Sequence, residues 1–186
     1  MTAGPAQRTV LAPDDGSLGP LLRVSDDRLA PGQGYGAHEH AAVDVVAVVL
    51  DGSLRHGWGD GATMAAGDVG VLRAGTGLVH DESAGDGGAR VLQCYLRPAD
   101  PTAPPGHEVH RAVTGPVTLG RADAVLWVRR AAAGVPVEVP AGLLLQAGAR
   151  TSVAQHEGGP VVPSEPVTLV LWQLETGRPA WALDRP

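Results

Sequence analysis

Glycine and proline interrupt this chain so often that a long helix has nowhere to form. Its 186 residues include 26 Gly and 16 Pro. A Gly inside a helix costs about 1 kcal/mol relative to Ala, and a Pro about 3 kcal/mol. Between the interruptions lie short runs rich in Val and Leu: Val43–Leu50, Val69–Leu72, Ala89–Leu96, Ala124–Val128, Val135–Val139 and Val167–Leu174. Short apolar runs bounded by turn formers and repeated along a chain predict an all-β sandwich or barrel. The Asp-Gly pairs Asp51–Gly52 and Asp60–Gly61 predict hairpin turns. Only Ala131–Gly134 has room for a single helical turn.

A chain of this length buries about 70% of its unfolded surface and needs no staples to fold. Phe, Ile, Asn and Lys are absent. Their codons are rich in A and T, so the gap reflects a GC-rich genome rather than a structural demand. The core must then come from Val, Leu, Ala and four Trp. The net charge is −6, and the 14 Arg are scattered, with only Arg129 and Arg130 adjacent. Direct nucleic-acid binding calls for a basic patch, and none is visible, so no such binding is expected. Cys94 is the single cysteine and has no intramolecular disulfide partner, which fits a reducing compartment. The first residues carry no apolar segment of the signal-peptide kind, and no run reaches the ~18 apolar residues of a membrane helix. The expectation is a cytoplasmic protein without membrane association.

The stretch Asp100–Gly106, DPTAPPG, reads as a proline-rich linker. It predicts one domain over residues 17–100, a linker over 101–116 and a smaller domain over 117–178. The second part has no cluster of metal-binding residues, and His156 stands alone in it.

Two doublets carry the chemistry. His38 and His40 stand in HEH, and His80 and Glu82 stand in HDE. In a strand, residues i and i+2 point to one face, so each doublet projects both side chains in one direction. If the two segments face each other inside a barrel, four ligands converge. Three imidazoles and a carboxylate suit a borderline divalent metal. With one cysteine in the chain, a structural zinc site of the usual thiolate kind is not expected. Four protein ligands on an octahedral ion leave two positions open. HxH alone is a weak metal signal, and His80 alone reads as a surface or core histidine; it is the two doublets together that point to a metal.

Residues 21–56, LLRVSDDRLAPGQGYGAHEHAAVDVVAVVLDGSLRH, and 65–83, AAGDVGVLRAGTGLVHDES, resemble the N-terminal cupin domain of the pirin family, and in particular its bacterial quercetin dioxygenase-like branch. Gly32 stands six residues before His38, as in the cupin pattern. The second motif runs from Gly67, and its His80 lies at the pirin rather than the ordinary cupin spacing. The resemblance spans Leu21 to Pro98. It implies an all-β cupin (jelly-roll) barrel, bicupin-like, whose second barrel is incomplete because this chain is shorter than pirins. It also implies that His38, His40, His80 and Glu82 hold one divalent transition metal. That metal is expected to be Fe(II), with Mn, Ni, Cu or Zn as the alternatives. By analogy with quercetinases, Glu82 doubles as the base for a substrate hydroxyl. The sequence departs from the family at Asp44, where Glu is usual, and at Asp81, where Ser is usual. Ala41 and Ala42 replace bulkier residues; together with Ala47 they are expected to leave room beside the ion.

Several other residues stand out. His56, in RHGWG, reads either as lining the pocket mouth or as a solvated strand residue. His107 and His110 flank the linker and read as exposed loop residues. Cys94 reads as a small core residue, and Trp58, Trp127, Trp172 and Trp181 as packing residues. Gly75 and Gly77 read as turn residues before His80. The expected function is a metal-dependent dioxygenase acting on a flavonol-like or enolic small molecule. The alternatives are an iron-dependent regulator acting through a protein partner, and a non-oxidative cyclase or isomerase.

Overall fold

The structure, a computed structural model, describes residues 4–13 and 15–177. The described residues form strands, turns and loops with no helix. They divide into two units. The first is built on residues 23–113 together with the N-terminal strand, and the second on residues 12–22 and those from Thr114 onward.

The first unit contains β1 (Ala6–Leu11), β2 (Leu21–Leu29, entering from the second unit), β3 (His38–His40), β4 (Asp44–Gly57), β5 (Ala62–Ala65), β6 (Val69–Arg73), β7 (Leu78–Leu96) and β8 (Gly106–His110). The sheet order is β1-β2-β7-β4-β6-β8, with β3 added on β7 and β5 on β4. β4 and β7 are the long central strands, paired antiparallel from Asp44 opposite Leu96 to Gly57 opposite Asp81. Their ladder slips at two places, between Val49 and Asp51 and between Gly52 and Leu54. The second slip absorbs the glycine-rich stretch Gly85–Gly88 of β7 as a bulge. Asp51–Gly52 is therefore not a hairpin turn, as its composition suggested, but part of a continuous strand. Gly52 has φ +68° and lies against the Gly88 carbonyl where any Cβ would collide. Asp60–Gly61 does form the turn expected of it, joining β4 to β5.

Leu29, Ala47, Val49, Leu54, Met64, Ala84, Ala89 and Val91 make one core cluster of this unit. Val45, Leu72, Ala74 and Leu78 make another, with Trp58 and Tyr95 against it. Each fully buried Val or Leu contributes about 1.5–3 kcal/mol. Ala47 is thus a core residue rather than a pocket wall, while Ala41 and Ala42 are exposed. Arg90 donates two hydrogen bonds to Asp26, 2.8 and 2.7 Å, and locks β7 to β2.

The stretch expected to be a linker is only partly one. Gly106–His110 pairs with β6 from Val69 opposite His110 to Arg73 opposite Gly106, so backbone hydrogen bonding holds it in the first unit. Residues 17–22, expected in the first domain, belong with residues 12–16 to the second unit.

The second unit contains β9 (Gly115–Val117), β10 (Ala124–Ala131), β11 (Val137–Val139), β12 (Gly142–Ala147), β13 (Thr151–His156), β14 (Gly159–Val161) and β15 (Val167–Leu174). A five-stranded sheet runs β13-β12-β15-β10-β9, and β11 pairs with β14. Val137, Val139, Leu144, Leu169 and Leu171 fill its core, with Trp127 packed against it. Trp172 is fully buried, and Trp181 lies outside the described residues. His156 ends β13, half-buried.

Candidate metal centre

The antiparallel register of β3 on β7 places His38 opposite His80 and His40 opposite Leu78. Strand alternation turns His38 and His40 to one face, and turns Leu78, His80, Glu82 and Ala84 of β7 inward, all buried. Val79, between them, points out and is 61% exposed. Two short-range patterns and one register thus bring three imidazoles together. One ring nitrogen each from His38, His40 and His80 lies within 4.8 Å of the others. The ring centroids are 4.8, 4.3 and 5.1 Å apart for His38–His40, His38–His80 and His40–His80.

Hydrogen bonds decide which nitrogens are free. His38 Nδ1 lies 2.8 Å from the Gly36 carbonyl. A carbonyl only accepts, so Nδ1 carries the proton and Nε2 keeps its lone pair. His80 Nδ1 lies 2.7 Å from His56 Nε2, while its Nε2 is buried with no hydrogen-bond partner among the described residues. Burial, with the neighbouring imidazoles, pushes His80 down to about 3 and His56 down to about 4. Burial lowers His40 and His107 as well. These groups are neutral near pH 7, the state a metal ligand needs. An unpaired buried Nε2 within reach of two further imidazoles fits a divalent transition metal.

Glu82 is buried on the same face of β7 but stands outside the three-histidine group. Its Oε2 accepts from Gln93 Nε2 at 2.9 Å. Burial raises its carboxyl to about 7 against the pull of that hydrogen bond. Beside it the Tyr35 backbone N–H donates to the Glu82 carbonyl at 3.0 Å. The Tyr35 hydroxyl donates to buried Asp27 at 2.8 Å, and burial together with Asp27 raises the phenol strongly.

Three contributors were not assigned from sequence. His56 is 1% exposed, on β4 opposite Glu82, which rules out the solvated reading. His107 is no exposed loop residue: it sits on β8, half-buried and stacked on His56 with centroids 3.9 Å apart and planes at 24°. Gln93 is 1% exposed; a lone amide inside the apolar run VLQCYL was the visible signal for it. His110 is half-buried on the same strand as His107. Cys94 is buried, as expected. Gly75 and Gly77, with φ +47° and +121°, shape the approach to β7 as expected.

A sequence model of the Pirin family matches residues 12–96. A quercetin 2,3-dioxygenase of Escherichia coli is 30% identical over 95 residues, 49% of this chain and 41% of that protein. A pirin-like protein of Caulobacter vibrioides is 32% identical over 89 residues, 46% of this chain and 38% of that protein. The matches therefore span less than half the length of these relatives. Among solved structures, a bacterial pirin of Escherichia coli in complex with nickel(II) superposes with a TM-score of 0.69 at 19% identity, over 94% of this chain and 93% of that one. A quercetin 2,3-dioxygenase of Acinetobacter baumannii superposes with a TM-score of 0.66 at 18% identity, over 95% and 88%. This likeness speaks for the fold, which is all-β and fits a jelly-roll cupin barrel. No helix of the described residues is long and apolar enough to cross a membrane.

Proposed function

From the Pirin domain that residues 12–96 of this chain carry, we propose that the protein is a metal-dependent dioxygenase acting on a flavonol-like or enolic small molecule. His38, His40 and His80 hold the ion, Fe(II) in the first instance, and Glu82 completes the set. The observation that supports this most is the convergence of three imidazoles within 4.8 Å, two of them with Nδ1 engaged and Nε2 left over.

A divalent metal held there supplies a Lewis-acid centre for an oxygen-bearing substrate. The protein's own groups do the rest. His38 and His40 are half-buried while His80 is buried, so the imidazole group opens to solvent on the β3 side, where a substrate enters. Exposed Ala41 and Ala42 crowd that side little. Glu82, with its carboxyl near 7, is suited to taking a proton from a substrate hydroxyl at neutral pH. Gln93 fixes the carboxylate through Oε2, leaving Oε1 for ligation or proton transfer. The single cysteine of the chain, Cys94, is buried, which supports a reducing, cytoplasmic setting.

Metal analysis of the purified protein and oxygen uptake with a flavonol and enol panel test this reading. The expected result is about one metal per chain and turnover that Glu82→Gln abolishes while keeping most of the metal. Metal bound without turnover by iron, manganese, nickel or copper forms would favour the regulatory or non-oxidative alternatives.

A further inference from the structure

His56 touches His80 but belongs to none of the ligand doublets. It comes from β4, is 1% exposed, and faces the site from the side opposite β3. Its Nε2 lies 2.7 Å from His80 Nδ1. Two nitrogens on one metal at ~2.0–2.1 Å stand about 2.9–3.4 Å apart in octahedral or tetrahedral geometry. The shorter separation is an N–H···N hydrogen bond, so this contact does not make His56 a fourth ligand.

A hydrogen bond between two neutral imidazoles has two arrangements. If His80 donates from Nδ1, its Nε2 keeps a lone pair. If His56 donates from Nε2, the proton of His80 sits on Nε2 and blocks that atom. His80 Nε2 and His56 Nδ1 both lack hydrogen-bond partners among the described residues, so each arrangement leaves one buried N–H unpaired. Only the first lets His80 join His38 and His40. His38 obtains the same tautomer from a backbone carbonyl, and His80 has no carbonyl in that role. We propose that His56 is a positioning residue for the metal centre: it accepts the Nδ1–H of His80 and thereby presents Nε2 to the ion, while the stacked ring of His107 keeps it in place. This rests on the metal-centre reading above.

The test compares wild-type protein with His56→Ala and His56→Gln, since a Gln side-chain carbonyl reaches a similar point and accepts the same proton. Zinc affinity is measured by competition with a chelating dye, and the ring nitrogens of His80 are read by ¹⁵N NMR in the zinc-loaded protein. Loss of such an outer partner typically weakens metal binding ~10–100-fold, and that is expected for His56→Ala. His56→Gln should restore affinity to within a few-fold of wild type, and His80 should show a protonated Nδ1 and a ligated Nε2. If wild type binds zinc and His56→Ala binds it equally well, the positioning role is overturned. A folded His56→Gln as weak as His56→Ala would overturn the acceptor role. Should wild type bind no zinc, nickel or iron, the metal-centre reading falls and takes this one with it.

Discussion

His38 and His80 stand directly opposite each other in the β3–β7 ladder, with ring centroids 4.3 Å apart. A cross-strand pair of this kind is fixed by backbone hydrogen bonds rather than by loop conformation, so the imidazoles are held together before any ion arrives. Replacing either histidine by Ala removes one of three converging nitrogens without touching the ladder. Each variant should fold and lose most of its metal, measured as metal per chain after dialysis. Full occupancy in both would refute the ligand assignment.

Gln93 is the hydrogen-bond donor that steadies the Glu82 carboxylate. Gln93→Leu keeps the volume and removes that donor. A hydrogen bond to a charged group is worth about 1.5–3 kcal/mol, or roughly 1–2 pH units. The Glu82 carboxyl should therefore move up from about 7 by that amount, read by ¹³C NMR titration of the metal-free protein. An unchanged midpoint would show that Gln93 does not restrain the acid.

Acid should destabilise the metal-free protein through the buried histidines. His80 and His56 titrate at about 3 and about 4 in the folded chain, below the ordinary 6.5. Unfolding thus takes up protons as the pH falls. The stability they lend is complete above about 6.5 and declines toward 4 and then 3, by up to about 1.4 kcal/mol per pH unit for each group. Glu82, raised from 4.5 to about 7, has the opposite sign: its contribution is complete below 4.5 and lost as the pH rises through 7. Between 4.5 and 6.5 two groups oppose one, so urea midpoints should still fall with acidification. The fall should be shallower in His56→Gln; a midpoint independent of pH in wild type would contradict these shifts.

The Asp26–Arg90 pair predicts a fold-level effect away from the site. Its side chains are 4% and 12% exposed. Removing one partner leaves the other charge buried, at a cost of about 3–5 kcal/mol. Arg90→Ala should lower the denaturation free energy by that order, and a change below 1 kcal/mol would mean the pair is effectively solvated.

The all-β fold was legible because Gly and Pro leave no helical stretch and because the Val-rich runs have strand length. The two doublets were legible because i, i+2 spacing is a property of a single strand. From sequence, His56 is open between lining the pocket and standing in solvent, and His107 reads as a loop residue. Their positions depend on β4, β6, β7 and β8 pairing across the sheet, and β8 hides in a segment whose prolines read as a linker. Asp51–Gly52 misled for a related reason: the left-handed conformation that Gly permits serves a bulge as readily as a hairpin. Glu82 lies on the expected face; its partner Gln93 stands out locally as a lone amide in VLQCYL, but their pairing across the bulge of the same strand is not readable from either segment.

That bulge sets the phase between the two halves of β7. His80 and Glu82 lie before Gly85–Gly88 and Gln93 after it. Side chains alternate with period two, so deleting one residue of the bulge would turn the second half over. Leu92 or Cys94 would then meet the Glu82 carboxylate, while every histidine kept its place. Such a deletion should leave the imidazole group able to capture metal and strand the acid among hydrocarbon, visible as a carboxyl titrating well above 7. Three glycines and Asp86, none of them a ligand, thus act as the spacer that decides which chemistry the acid meets.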